Sequence, residues 1–454
     1  MSSFQFSTPE DIPKAQPICD LRPQTGNQHQ VLAYRNSSAN HETWSVTFAP
    51  DRSYFAWSSG NCIVRLVPWD AQRNTVQDIN NVNVIRYGAV NLQRNQQQYL
   101  QQQDLQQQQQ QQEEQQDMTT NREMKVIRCG EPVWSLAFGA SKPHKRWKHI
   151  NIKYHHFEHL DSSYDLILAI GLKSGKIMTV DIATEQILLL MDHKDVIRDL
   201  KFCSDGSLIL LSASRDQTLK VWDLKDDGNM VVTLQGHTNW VYGCAFAPDM
   251  TMLASVGAQK CVIVWDLKDR NLRQCKILRR LTGHHHDAVS CEFSPDGALL
   301  ATASYDTRVL LWDPHIGIIL RQYHHVFPPL SPVFAGGSNN NYVRHMAFSP
   351  DGSHFATVCD DKYIRFWSLF DTSDPISVSM VVDGLCCSYS ADGRVLATGT
   401  RNGSVHFLVA PKEVQTLQHL CRLGIRRLVP NTNNLDKLGL PPGLRNYLRY
   451  DMLT

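Results

Sequence analysis

Serine or threonine, histidine and aspartate are the ingredients of nucleophilic catalysis, and this chain holds the set twice. His193 and Asp216 accompany Ser212 or Ser214, and His284 and Asp306 accompany Thr302 or Ser304. A base between a carboxylate and a hydroxyl can activate that hydroxyl for attack. Each set, however, carries a tryptophan at the same offset, Trp222 and Trp312, and a third, partial set has His237 and Trp265 with Gln259 at the aspartate position. A catalytic set appears once in a chain, whereas a set that recurs at a fixed period belongs to the architecture. The remaining candidates are weaker. His155, His156 and His159 with Glu158, and the run His284 to His286, have no cysteine pair at ligand spacing beside them, so no metal is expected. "GLKSG" (171–175) lacks the glycine spacing and the helix of a phosphate loop. No cysteine stands in a nucleophile setting with histidine. We expect no enzyme, no metal and no cofactor.

The period itself is explicit. "VIRDLKFCSDGSLILLSASRDQTLKVWDL" (196–224) returns as "WVYGCAFAPDMTMLASVGAQKCVIVWDL" (240–267) and as "AVSCEFSPDGALLATASYDTRVLLWDP" (288–314). Each copy reads as strand, Pro-Asp-Gly type turn, apolar strand, polar turn and a strand ending in Trp-Asp. Weaker copies at 44–70, 133–181, 342–369 and 384–410 bring the number to seven. Four strands in about 40 to 45 residues, with Gly-His and Trp-Asp, resemble the WD-repeat family, which implies an all-β, seven-bladed propeller. In that family His, Asp and Trp with a strand Ser or Thr form a buried hydrogen-bond network within each blade. Gln259 predicts a weaker network in the fourth blade, and Phe407 replaces the tryptophan in the last. An open ring would leave sheet edges unpaired. The last copy stops after three strands, and "HQVLAYR" (29–35) is expected to supply the fourth, so that residues 1–28 form a flexible tail and 29–411 the propeller.

Composition narrows the setting. The net charge of +1 gives no global reason to expect nucleic acid or an anionic membrane as partner. Twelve cysteines lie scattered, mostly in apolar runs, no apolar stretch is long enough to span a bilayer, and the amino terminus lacks a signal pattern. These point to the cytoplasm or the nucleus. Residues 71–122, with "NQQQYLQQQDLQQQQQQQEEQQ", interrupt the first copy before "EMKVIRCG", its expected fourth strand, and are too polar to offset their ordering entropy. A disordered loop is expected. The basic, aromatic "SKPHKRWKHINIKYHHFEH" (141–159) reads as a solvated loop in preference to a nucleic-acid contact.

After about residue 411 the period changes. Leu417, Leu420, Cys421, Ile425 and Leu428 fall at helical spacing between Pro411 and Pro430, with Arg422, Arg426 and Arg427 on another face. A helix this short needs a surface to pack on. Thr416 and Leu417, then Cys421, then Ile425 resemble the elongin C-binding pattern of a SOCS box, and "LDKLGLPPGLRNYLRYDML" resembles its cullin-selecting half through Leu438, Leu440, Pro441, Leu444, Tyr447 and Leu448. Gly439 stands where that pattern has its first proline, so cullin-5 is implied less directly than elongin C. Nearly the whole chain resembles the WD-repeat and SOCS-box-containing family, with the box at 412–454. The resemblance implies the substrate receptor of a ubiquitin ligase. The box, through Thr416, Leu417, Leu420, Cys421 and Ile425, would recruit elongin C with elongin B, and then cullin-5 with its RING protein, while the propeller holds a target protein. Target contacts are expected on the face bearing Arg215, Asn239, Trp240, Tyr305 and Tyr342. The competing classes are a propeller scaffold whose tail packs on its own blades and an RNA-binding propeller using residues 141–159.

Overall fold

The computed structural model describes residues 17–21, 42–59, 62–70, 75–76, 82–86, 124–141, 166–191, 193–267, 272–325, 341–369, 374–412, 417–429 and 432–450. Seven sheets, antiparallel but for one added strand in the first, form a propeller. The third blade, Ile197–Phe202, Ile209–Ser214, Thr218–Asp223 and Asn229–Gln235, shows why each copy folds alike. Its second strand is buried at every position, as a central strand covered by blades on both sides must be, whereas in its outer strand only Leu234 is buried.

The first strands of successive blades lie side by side around a central channel. Val46–Phe48 touches both Val133–Ala140 of the second blade and Gly384–Tyr389 of the seventh, which closes the ring. Closure is completed by sheet pairing, but not through the expected segment. Pro17–Leu21 pairs antiparallel with Val405–Val409 as the outer strand of blade seven. Residues 29–35 lie outside the described residues, and the propeller therefore begins within the stretch read from sequence as a tail.

The first blade also departs from expectation. Met124–Arg128 is its fourth strand, as the sequence indicated, yet Val82–Arg86 adds a parallel strand beyond it and Thr75–Val76 pairs with Trp69 and Asp70. Two pieces of the 71–122 insertion are thus strands, because the unpaired N–H and C=O groups of an outer strand template further pairing. The glutamine run and residues 142–165, which contain most of the basic stretch, lie outside the described residues.

The turn between first and second strands explains the Asp-Gly recurrence. In blade five, Asp296 Oδ1 accepts from Ser294 Oγ at 2.6 Å and from Ala298 N at 3.1 Å, and Gly297 takes φ +71°, a conformation glycine adopts without strain. Blades six and seven repeat this with Ser349, Asp351 and Gly352, and with Ser390, Asp392 and Gly393. These turns all lie at one end of the propeller, and the turns between second and third strands lie at the other.

Beyond blade seven, helix α1 (Leu417–Leu428), a 3-10 turn (Thr432–Leu438) and helix α2 (Pro442–Arg449) form a small module. Among the described residues no helix is long and apolar enough to cross a membrane.

Candidate functional sites

The recurring Ser/Thr, His and Asp sets are buried and internally satisfied. His193 holds Asp216 at 2.7 Å through Nδ1 and Ser212 at 2.7 Å through Nε2, while Trp222 Nε1 donates to the same hydroxyl at 2.9 Å. His284, Asp306, Thr302 and Trp312 repeat this at 3.0, 2.7 and 2.8 Å. Ser214 and Ser304 are not in the networks; their hydroxyls donate to the Asp195 and His286 carbonyls. Burial works to raise the Asp216 and Asp306 carboxyls, but the hydrogen bond and charge of the paired histidine outweigh it and hold both well below the usual carboxylate range. A hydroxyl already shared between an imidazole and an indole, and sealed from solvent, cannot serve as a nucleophile.

In blade four His237 and Trp265 still share Ser255, at 2.7 and 2.9 Å, but Gln259 turns to the Thr238 hydroxyl instead. Burial pushes His237 down to about 4, with Arg280 adding to the effect. Blade six holds a network that the sequence reading missed: His325, Thr357 and Trp367, at 2.8 and 2.9 Å. The spacing of ten residues from hydroxyl to tryptophan, shared by all four blades, was the available signal.

At the end of the propeller away from the Asp-Gly turns, the expected target-face residues do gather around the channel mouth. Tyr305 and Tyr342 lie 4.9 Å apart, and Arg344 packs on both while pairing with Asp360 at 2.6 Å. Arg215 lies over Trp240 at 4.6 Å and over Trp134 at 5.4 Å. Asn239 instead serves the backbone, its Oδ1 accepting from Trp240 N at 2.7 Å. Trp44, Trp134, Arg198 and Tyr242 belong to the same rim and were not singled out from sequence. The channel below is a cavity of about 240 Å³ lined in part by Trp44, Trp134, Arg198 and Tyr242.

The carboxy-terminal module sits at the opposite end, and its first helix docks through the face that carries its arginines. The apolar stripe faces outward: Leu417 is 77% exposed, Leu428 84% and Leu420 49%, with Cys421 exposed and Ile425 half-buried. His419, Arg422, Leu423 and Arg426 face the propeller and are buried. The turn end receives them through a backbone carbonyl and through carboxylates. His419 Nε2 contacts the Asp351 carbonyl at 2.9 Å, and Arg426, whose charge burial disfavours, is supported by Asp296, Asp313 and Asp249. Arg422 lies 3.4 Å from the Tyr447 ring and 4.2 Å from that of Tyr450. Tyr450, 2% exposed, sits in the core between blades five and six and donates to Asp296 Oδ2 at 2.7 Å.

In the second half of the module, Leu438, Pro441 and Leu444 are exposed, Leu440 and Tyr447 half-buried. Leu448 is buried at 3% and holds its helix in place, so it presents no surface of its own. Asp436 ties the 3-10 turn to α2 through Arg445 and Arg449. Gly439 has φ +62°, which proline cannot adopt, so this loop follows a path that the proline-containing pattern would not. Thr416 lies outside the described residues. Among those residues no cluster of His, Cys, Asp and Glu could hold a metal.

Comparison with known proteins agrees with this architecture. The family model for the WD domain, G-beta repeat, matches residues 184–223, 228–266, 275–313 and 330–368, and that for the SOCS box matches 413–449. WD repeat and SOCS box-containing protein 1 of Homo sapiens is 49% identical over 416 residues, covering 91% of this chain and 93% of its own length. Proteins of the same name from Xenopus tropicalis and Danio rerio are 47% and 46% identical, each with full coverage of both chains.

Proposed function

The chain belongs to the WD repeat and SOCS box-containing proteins, and from that premise we propose that it is the target-recognising subunit of an elongin–cullin ubiquitin ligase. A SOCS box in general marks an adaptor of such ligases. The finer reading is that α1 receives elongin C, with elongin B, on Leu417, Leu420, Cys421 and Ile425. The second half of the box would then receive cullin-5 and its RING protein on Leu438, Leu440, Pro441, Leu444 and Tyr447, and the channel mouth a target protein. One observation carries it. A helix given a choice of faces has docked its cationic side and left Leu417 and Leu428 largely, and Leu420 half, in water, where full burial of one leucine would contribute roughly 1.5–3 kcal/mol. Such a stripe is stable in a cell when another chain covers it.

The chain contributes proximity, not bond chemistry. Strands of about six residues span roughly 20 Å, and that thickness separates the docked box from the rim where a target would sit. Holding both ends on one rigid ring raises the effective concentration of target lysines at the ubiquitin carrier. We place this activity in the cytoplasm or nucleus.

Co-purification tests the proposal. The chain carrying Leu417→Ala with Cys421→Ala should lose elongin C while keeping its thermal transition, because both side chains are exposed. Retained capture would overturn the assignment. A chain ending at 411 should keep propeller clients and lose box partners, and mass spectrometry of the two eluates separates the classes.

A further inference from the structure

The rim of the channel carries two arginines that the fold leaves without an anion. Arg198, at the head of the innermost strand of blade three, lies 4.7 Å from the Trp134 ring, 5.5 Å from Tyr242 and 5.9 Å from Trp44. Arg215, on the adjacent turn, lies against Trp134 and Trp240. Neither guanidinium is paired with a carboxylate among the described residues. Three buried donors there, Arg198 Nε, Arg215 Nε and Trp134 Nε1, have no acceptor among those residues. Asp199, the carboxylate acting on Arg198, is already committed: Oδ1 accepts from Leu200 N at 2.9 Å and Oδ2 from Cys244 N at 3.0 Å. Burial pushes Arg198 below its ordinary value, and the like charge of Arg215 adds to that.

Arg344 shows what a structural arginine on this rim looks like. It too stacks on aromatic rings, but Asp360 accepts from its Nε and Nη2 at 2.6 to 3.0 Å. Arg198 and Arg215 have the rings without the carboxylate. Two like charges held together with unmet donors are costly, and their aromatic faces are already occupied by cations, which disfavours a cationic ligand.

We propose that Arg198, Arg215 and the Trp134 indole form a receptor for an anionic group of the target polypeptide, an acidic side chain or a phosphorylated one, presented to the channel mouth. This rests on the reading of the propeller as the target-holding part, and it names the class of segment held. Planar guanidiniums suit both anions because each offers parallel N–H donors to a pair of oxygens. The surrounding Trp44, Trp240 and Tyr242 would cover the apolar flanks of such a segment and exclude water from the ion pair.

The test uses the full chain and fluorescein-labelled random octapeptide pools: one enriched in Asp and Glu, one in phosphoserine, one in Lys and Arg, one uncharged. Fluorescence anisotropy should show the acidic or the phosphoserine pool binding at least tenfold tighter than the uncharged pool, and the difference between those two identifies the anion. Arg198→Gln and Arg215→Gln should each weaken that binding about tenfold. Preference for the basic or uncharged pool, or no preference, overturns the proposal, as does a single-stranded RNA decamer that binds through the same arginines more tightly than any peptide. The variants also separate a site from a strut. In a receptor, removing one of two repelling charges leaves the thermal midpoint unchanged or raises it, whereas a fall of several degrees in both variants would assign the arginines to packing. Elongin C capture by these same variants should be unaffected, so failure here and failure of the ligase reading are scored by different measurements.

Discussion

Tyr450→Phe should loosen the carboxy-terminal module without unfolding the propeller. The substitution keeps the ring that packs between blades five and six and the face that Arg422 covers, and removes the hydroxyl, which donates to Asp296 Oδ2 at 2.7 Å and also meets Arg422. Asp296 is 2% exposed; its Oδ1 keeps Ser294 and Ala298, but Oδ2 would lose the Tyr450 donor. A hydrogen bond to a charged acceptor is worth about 1.5–3 kcal/mol, and about 2 kcal/mol corresponds to roughly a 30-fold shift in an equilibrium constant. That shift should fall on docking of the module. Hydrogen exchange is the assay: amides of Leu417–Leu428 and Pro442–Arg449 should exchange about 30-fold faster, those of Leu300–Ser304 at an unchanged rate. Affinity for elongin C should stay within about twofold, since the exposed stripe is untouched. Unchanged helix exchange would show that the Asp296 bond does not hold the module. A uniform acceleration through blades five and six would show that module and ring open as one unit.

Other consequences follow from the same contacts. Asp306→Ala removes the partner of His284, of the His285 amide and of Arg308 in a buried site, and should cost about 3–5 kcal/mol in urea unfolding; Gln259→Ala, at the same place in blade four but exposed, should change stability by less than about 0.5 kcal/mol. Deleting residues 1–21 uncovers the edge of Val405–Val409 and should lower the melting temperature and promote concentration-dependent aggregation, read by light scattering. Acid should weaken the fold before carboxylates titrate: His237 is held neutral down to about 4 and His345 to about 3, so the unfolded chain binds more protons below its ordinary value of 6.5 and stability falls as pH drops. At about 1.4 kcal/mol per pH unit, His237 alone contributes about 3 kcal/mol between pH 6.5 and 4. A melting temperature flat over that window would refute the burial argument.

The ring was legible because its signal is repeated: a strand period interrupted by Asp-Gly turns and closed by Trp-Asp can satisfy its hydrogen bonds in few other ways. Legibility failed where a choice depended on partners distant in the chain. Ser212 and Ser214 lie on the same side of one strand, and only the position of His193 selects the first. The closing strand pairs residues 17–21 with 405–408, and alternation alone does not say which amino-terminal segment reaches that edge. On α1 the period fixed two faces without fixing which one docks. The arginine face docks, and Arg422 and Arg426 are buried because tyrosine rings and turn carboxylates receive them.

The same turns explain why the module docks at the end it does. Each Asp-Gly turn needs one carboxylate oxygen to hold the hydroxyl and amide that shape it, as Asp296 Oδ1 holds Ser294 and Ala298. In blade five the turn does not use the second oxygen, which is left to accept from another part of the chain. Asp296 Oδ2 takes Tyr450, and Asp249 and Asp296 together favour the charge of Arg426. The opposite end has turn aspartates too, but Asp216 and Asp306 are committed to the histidines of their own blades and Asp361 to Arg365. There a carboxylate must be supplied residue by residue, as Asp360 is for Arg344, and Arg198 and Arg215 were given none. One end thus satisfies cations brought by its own chain, and the other keeps cations for an anion brought by a different one.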